Sequence, residues 1–276
     1  MQEKFKEYSK LLDGAIFLFS GLAFGLWFLG VSVFSFDGMP ELSIFTIFSL
    51  LLMSGSRLAD KMLSTWSYPM TLALLGVVAC GNLSSLWIQL TIPDLFLNTM
   101  PGVVPTSAMT SIGLILFCFY EILVVLRKTP QTAFILDDVL LHLALFPGGL
   151  SFLGHFLGVQ AYMSSSVDPR AGIGVVEMLI MGVYATGAVI SNPNLFLWKF
   201  LAKSKFNKVV FLTLFINQYL APIAVGLAFR PEDWATDRYG LEFYVMLAGV
   251  LATLIFLVIN ALRHSFSEEE SVLEDA

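Results

Sequence analysis

Apolar residues run along this chain in eight long blocks separated by short polar stretches: Gly14 to Phe36, Leu42 to Ser56, Tyr68 to Ile92, Val104 to Leu126, Phe134 to Gln160, Gly172 to Ser191, Lys208 to Phe229 and Tyr239 to Leu262. Most blocks approach the roughly 20 residues that a helix needs to cross the hydrocarbon core of a bilayer. The pattern predicts an all-α integral membrane protein with eight transmembrane helices. The second block is the shortest and is rich in Ser. The predicted organisation is a cytoplasmic N-terminal segment (1–13), an eight-helix transmembrane domain (14–262) and an acidic cytoplasmic tail (263–276). The first block is followed by seven more and lacks a small-residue cleavage site, so it reads as a retained anchor.

The blocks repeat. Outward helices start near Gly14, Tyr68, Phe134 and Lys208, and return helices near Leu42, Val104, Gly172 and Tyr239. Each outer turn carries a proline shortly before the return helix, in "DGMPEL", "MPGVVPTSA", "VDPRAGIG" and "RPEDWATDRYG". Proline lacks a donor and fixes φ, which suits a turn or a helix start. Four tandem helical hairpins of one orientation follow, unlike the inverted repeats of many secondary transporters.

Composition agrees with this reading. Of 276 residues 57% are hydrophobic and 13% charged, and the mean hydropathy is +0.80; soluble domains are about 45–50% apolar. Charge sets the orientation. With a cytoplasmic N-terminus, twelve of the fifteen basic residues (Lys4, Lys6, Lys10, Arg57, Lys61, Arg127, Lys128, Lys199, Lys203, Lys205, Lys208 and Arg263) fall inside and only Arg170, Arg230 and Arg238 outside. Cytoplasmic loops retain Lys and Arg, so both termini are expected in the cytoplasm. The net charge of −6 owes much to the tail "SEEESVLEDA", and no basic stripe suggests nucleic acid. Cys80 and Cys118 lie mid-block, where a thiol behaves as a small hydrophobe.

Some stretches resemble a known architecture. "MPGVVPTSAMTSIGLILF", Met100 to Phe117, resembles the recurring Pro-x-Thr/Ser-Ala start of a return helix in the eight-helix N-terminal membrane modules of bacterial sensor histidine kinases. "FLGHFLGVQAYMSSSVDPRAGIGVVEMLIMGVYATGAVISNPN", Phe152 to Asn194, is similar to their third hairpin, including the Leu-Gly-x-x-x-Gly-Val approach to the turn, and "APIAVGLAFRPEDWATDRYGLEF" resembles their last pair. The resemblance implies a sensory module. It departs from those modules in two ways: no dimerisation helix pair or ATPase domain follows Leu262, and the third return helix lacks the Pro-x-Thr/Ser-Ala start and carries Glu177. The expectation is a stand-alone relative acting through partners, or a truncated sensor.

Ionisable groups inside spans are costly and are functional candidates by default. His155 and Glu177 lie eleven residues either side of Ser166, so they are expected to face each other near the outer end of the third hairpin as a ligand- or proton-sensing pair, the alternative being a hydrogen bond that ties two helices. Glu121 and His142 flank the inner turn and are a second candidate pair, with Glu121 also within reach of Arg127 or Lys128. Asp137 and Asp138 are expected near the inner surface, in reach of water, as charges favoured at a helix N-terminus; Glu242 is expected at the outer boundary. Asn217 and Gln218, with Asn82 and Gln89, are candidate donors to a central cavity. Pro147-Gly148-Gly149 is a candidate hinge in the fifth helix.

His142 and His155 are separated by about 19.5 Å along a regular helix and about 220° around it, so they do not share a haem. Three histidines and two separated cysteines leave little for a metal site, and no His-Glu-x-x-His, Gly-x-Ser-x-Gly or Walker sequence occurs. No cofactor is expected. An intramembrane Glu/His hydrolase is the one enzymatic alternative. The leading expectation is a sensor of a lipophilic or membrane-linked cue that acts on a cytoplasmic kinase or cyclase, with the bilayer and a second copy in a homodimer as further partners. A small-solute or ion transporter and a non-catalytic membrane scaffold are the alternatives.

Overall fold

The computed structural model describes residues 2–31, 40–63, 68–92, 103–104, 106–127, 135–163, 171–229 and 240–274, with side chains beyond residue 263, and those of residues 2–4 and 6, left undescribed. The outer turns around Asp37, Asp94, Ser166, Asp168 and Asp233, and Lys128 in an inner turn, lie outside the described residues.

The described secondary structure is helical. The long helices are α1 (Gln2–Phe28), α2 (Ile44–Met62), α3 (Tyr68–Thr91), α4 (Ala108–Leu126), α5 (Ile135–Leu157), α7 (Val175–Ser191), α9 (Lys205–Phe229) and α10 (Leu241–Glu274). Two short ones intervene, α6 (Gln160–Met163) and α8 (Phe196–Lys203). Six helices, α1, α3, α4, α5, α9 and α10, contain segments long and apolar enough to cross a membrane, and α7 with α8, bent by 72° at the break between them, makes a seventh if the pair is one span. The protein is therefore a helical, multi-pass membrane protein by composition and element length.

The eighth predicted span, α2, is a full helix with three charges in its last six residues, Arg57, Asp60 and Lys61. Its thirteen uncharged residues rise only about 20 Å. The helix ends also differ from the apolar blocks. Gly30 and Gly158, at φ 73° and 68°, stop α1 and α5. In each, the amide after the glycine bonds a carbonyl five residues back (Val31 N to Leu26 O, 3.1 Å; Val159 N to Gly154 O, 2.9 Å). This is a Schellman closure, which favours glycine because left-handed φ is costly for other residues. The first predicted span thus stops as a helix at Phe28, before Phe36. At the other end, α1 extends back to Gln2, and α10 runs on to Glu274, so the predicted terminal segments continue the long helices.

The first three hairpins form a closed ring in which each helix packs on the next: α1, α2, α3, α4, α5, α7 and back to α1. The fourth hairpin, α9 with α10, packs against α5 from outside. The return helices α2, α4 and α7 share one register. Counted from their N-caps Ser43, Ser107 and Gly174, position 3 is Thr46, Thr110 and Glu177, position 7 is Leu50, Leu114 and Met181, position 10 is Met53, Phe117 and Tyr184, and position 14 is Arg57, Glu121 and Ala188. All twelve are buried. Steps of four, three and four are the heptad spacing of a supercoiled seam, so the three helices share a core axis. Along it, Phe117 meets Tyr184 edge to face at 5.1 Å and Cys118 Sγ lies 3.8 Å from Met53 Sδ.

Candidate functional site: two polar layers on the three-helix axis

At the outer end, the Ser43 hydroxyl donates to the Val104 carbonyl (3.0 Å) and shares a hydrogen bond with Thr106 (3.1 Å), tying the first return helix to the second. The third N-cap is Gly174, with no side-chain cap. A Cβ there would lie 2.7 Å from the Pro40 carbonyl oxygen, so close backbone approach explains the glycine. This clamp brings the three position-3 residues together. Thr46 Oγ1 donates to Glu177 Oε1 at 3.1 Å, and the Thr110 hydroxyl shares a hydrogen bond with Ser107 at 2.8 Å. Glu177 is 1% exposed, and its Oε2 is buried without a hydrogen-bond partner among the described residues. The layer is a buried carboxylate held by the Thr46 hydroxyl, with one oxygen able to take a proton or a donor.

The expected His155–Glu177 pair is not made. His155 Nε2 instead meets the Ile173 carbonyl at 3.1 Å, joined there by Ser151 Oγ at 2.6 Å. Equal sequence distance from a turn sets depth but leaves azimuth free, and Glu177 turns toward the axis while His155 turns to the loop before α7.

At the inner end sits a denser layer. Arg57 on α2 is buried and reaches Asp13 on α1 (3.3 Å) and Glu121 on α4 (3.6 Å), the Tyr184 carbonyl (3.4 Å) and Ser191 Oγ (2.8 Å). Its guanidinium lies 4.8 Å from the Tyr184 ring centroid, a cation–π distance. The Tyr184 hydroxyl donates to Glu121 Oε1 at 3.0 Å. Lys61 donates to Asp13 Oδ2 at 2.6 Å, to Ser191 at 2.9 Å and to Ser9. Two cations and two carboxylates balance, which lets Asp13, Arg57 and Glu121 be buried beside the half-buried Lys61.

A second ion pair adjoins. Arg127 makes a two-pronged bond to Asp137 at 2.6 and 2.5 Å. Asn192 donates to Asp137 (3.5 Å) and to Tyr120 (3.3 Å), whose hydroxyl donates to the Ala188 carbonyl (3.4 Å). Asp138 accepts from the first amides of α8, Phe196 N at 2.9 Å and Leu197 N at 3.0 Å. Expected in reach of water, Asp137 and Asp138 are buried; what they compensate is Arg127 and the N-terminus of α8. That helix buries Phe196 and Phe200, the latter against Phe256 of α10 at 5.4 Å, and exposes Lys199 and Lys203. Trp198 stacks on Phe5 of α1 at 5.8 Å.

The expected Glu121–His142 pair is not made either. Glu121 belongs to the Arg57 layer and not to Arg127, while His142 lies against Phe215 (6.3 Å), its Nε2 buried without a hydrogen-bond partner among the described residues. Gln218 is buried and accepts from Thr253 at 3.4 Å, whereas Asn217 is exposed on the outside of the bundle and lines no central cavity. Asn82 donates to Ser49 of α2 (3.0 Å) and Gln89 to the Thr106 carbonyl before α4, as ties between segments. Glu242 is buried and accepts from Tyr162 at 2.9 Å.

Pro147-Gly148-Gly149 does not interrupt α5. A Cβ on Gly149 would lie 2.6 Å from Tyr219 Cε1 and 2.8 Å from Met246 Cε, so the segment is where the fourth hairpin docks. Among the described residues no group of three or more His, Cys, Asp or Glu side chains is placed to hold a metal ion.

Sequence reasoning missed Asp13, Arg57, Lys61 and Tyr184. A signal was present: Arg57 to Glu121 and Thr46 to Thr110 are each separated by 64 residues, the spacing of the caps Ser43 and Ser107. No family model, curated protein or solved structure matches this chain.

Proposed function

We propose that this protein is an eight-span sensory module of a bacterial inner membrane, both termini cytoplasmic, which detects a lipophilic or membrane-linked cue and relays it to a cytoplasmic kinase or cyclase. The observation that carries the reading is the inner layer. Arg57 by itself reaches α1, α4 and α7, and the adjoining Asp138 holds the start of the basic helix α8. A shift of one return helix must break or remake charge contacts at the face where Lys and Arg concentrate. In a low-dielectric setting such a network favours discrete arrangements over graded ones. Glu177, eleven residues or about 16.5 Å away on the same axis, is the group at which a proton or a ligand donor acts. The second span is α2, whose inner-end charges are offset inside the bundle by Asp13 and Glu121.

The test is reconstitution of the intact protein with candidate kinases or cyclases encoded beside it. The reading requires a change in partner activity that Glu121→Gln removes. Absence of any effect on every such partner contradicts it.

One observation favours a transporter: Glu177 and the Arg57 layer share an axis. Against it, the positions between them are filled by buried apolar residues such as Leu50, Leu114 and Phe117. Solute uptake by proteoliposomes, lost in Glu177→Gln, would replace the sensory reading.

A further inference from the structure

Helix α9 is the span least covered by the rest of the bundle, with 17% of its most apolar window buried. Its uncovered side is patterned. Val210, Thr213, Asn217, Leu220, Ala224 and Leu227 follow one another in steps of three and four, five of them exposed and Val210 half-buried. That is a heptad seam with nothing packed on it among the described residues. At its middle, twelve residues from either end of α9, stands the amide of Asn217. Asn82 and Asn260 return their amides to the carbonyl one turn back, Val78 (2.9 Å) and Phe256 (2.8 Å), and Asn207 at the start of α9 donates to the Phe200 carbonyl (2.9 Å); Asn217 has no partner among the described residues. An amide left open in hydrocarbon is unfavourable, and a neighbouring helix that supplies both donor and acceptor relieves it.

We infer that α9 is the contact helix of a homodimer in which Asn217 bonds Asn217 of a second copy. The occupant follows from topology. Two copies in one membrane share orientation, so a twofold pairing of α9 is parallel and sets each residue against itself at the same depth. Asparagine carries donor and acceptor together and is therefore complementary to itself, and a lone Asn in an apolar seam fixes register. The flanking Thr213 and Ala224 are small enough for close approach. The inference is independent of the sensory reading.

The experiment uses the full chain in lipid bilayers, with Cys80→Ala removing the exposed thiol. Oxidant is expected to cross-link Leu220→Cys and Ala224→Cys into dimers but not Leu212→Cys, which is exposed on another side of α9. Asn217→Leu is expected to weaken dimerisation, measured by energy transfer between labelled copies, by about three- to tenfold, with unchanged thermal melting, and Asn217→Gln to retain most of it. Equal cross-linking at Leu212→Cys, a dissociation constant indifferent to Asn217→Leu, or a monomer at every lipid dilution overturns the inference.

Discussion

Arg57 and Glu121 occupy the same position, fourteen residues after the N-cap, on two successive return helices, and their side chains meet at 3.6 Å inside the bundle. A repeat that had kept one residue type there would have buried two like charges; here the copies carry opposite signs. The pair is coupled to Tyr184, which donates to Glu121.

Removing one partner is expected to cost more than removing both. Arg57→Met leaves Glu121 and one side of Asp13 uncompensated, and breaking a buried pair in this way costs about 3–5 kcal/mol. Arg57→Met with Glu121→Leu is expected to recover at least a third of that loss, as read from unfolding of the purified protein in detergent. Additive losses in the double mutant would show that the two groups act separately.

Gly174→Ala is expected to destabilise the outer clamp, because the new methyl group meets the Pro40 carbonyl oxygen, a backbone atom, at 2.7 Å. The loss is expected to be about 1–3 kcal/mol by the same unfolding measurement. Gly76→Ala, where a Cβ meets nothing within 4 Å, is the control. Equal melting of the two variants contradicts the clamp.

Topology is open to direct mapping. Reporter fusions are expected to be periplasmic after Asp37, Asp94, Asp168 and Asp233, and cytoplasmic after Lys61, Lys128 and Lys203, on the twelve-to-three division of basic residues. A periplasmic signal after Lys61 would remove α2 as a span and invert the rest.

The positions of the long helices were legible in the sequence, and side-chain partners were not. The apolar blocks located each long helix to within a few residues at most ends, because a span must satisfy its own backbone and declares itself by length and hydropathy. Gly30 and Gly158 cut two helices shorter than the apolar run, since apolar composition does not record a left-handed residue. The site was harder. His155 with Glu177 and Glu121 with His142 were matched by depth alone, whereas pairing also depends on the direction a side chain takes around its helix. Arg57 and Lys61 passed for orientation signals at the end of a short block, and Asp13 for part of a solvated N-terminal segment. Their burial becomes visible only when α1, α2, α4 and α7 close into the ring.

The sensory proposal requires the outer Glu177 layer and the inner Arg57 layer to be coupled along the return-helix axis. Hydrogen exchange on the intact protein in lipid nanodiscs, comparing Glu177→Gln with the unaltered chain, addresses it without knowledge of the cue. Altered protection is expected in α8, Phe196–Lys203, and in α1 around Ser9 and Asp13, as well as at the starts of α2, α4 and α7. Changes confined to those three outer helix starts, with the inner end of the bundle untouched, would contradict it.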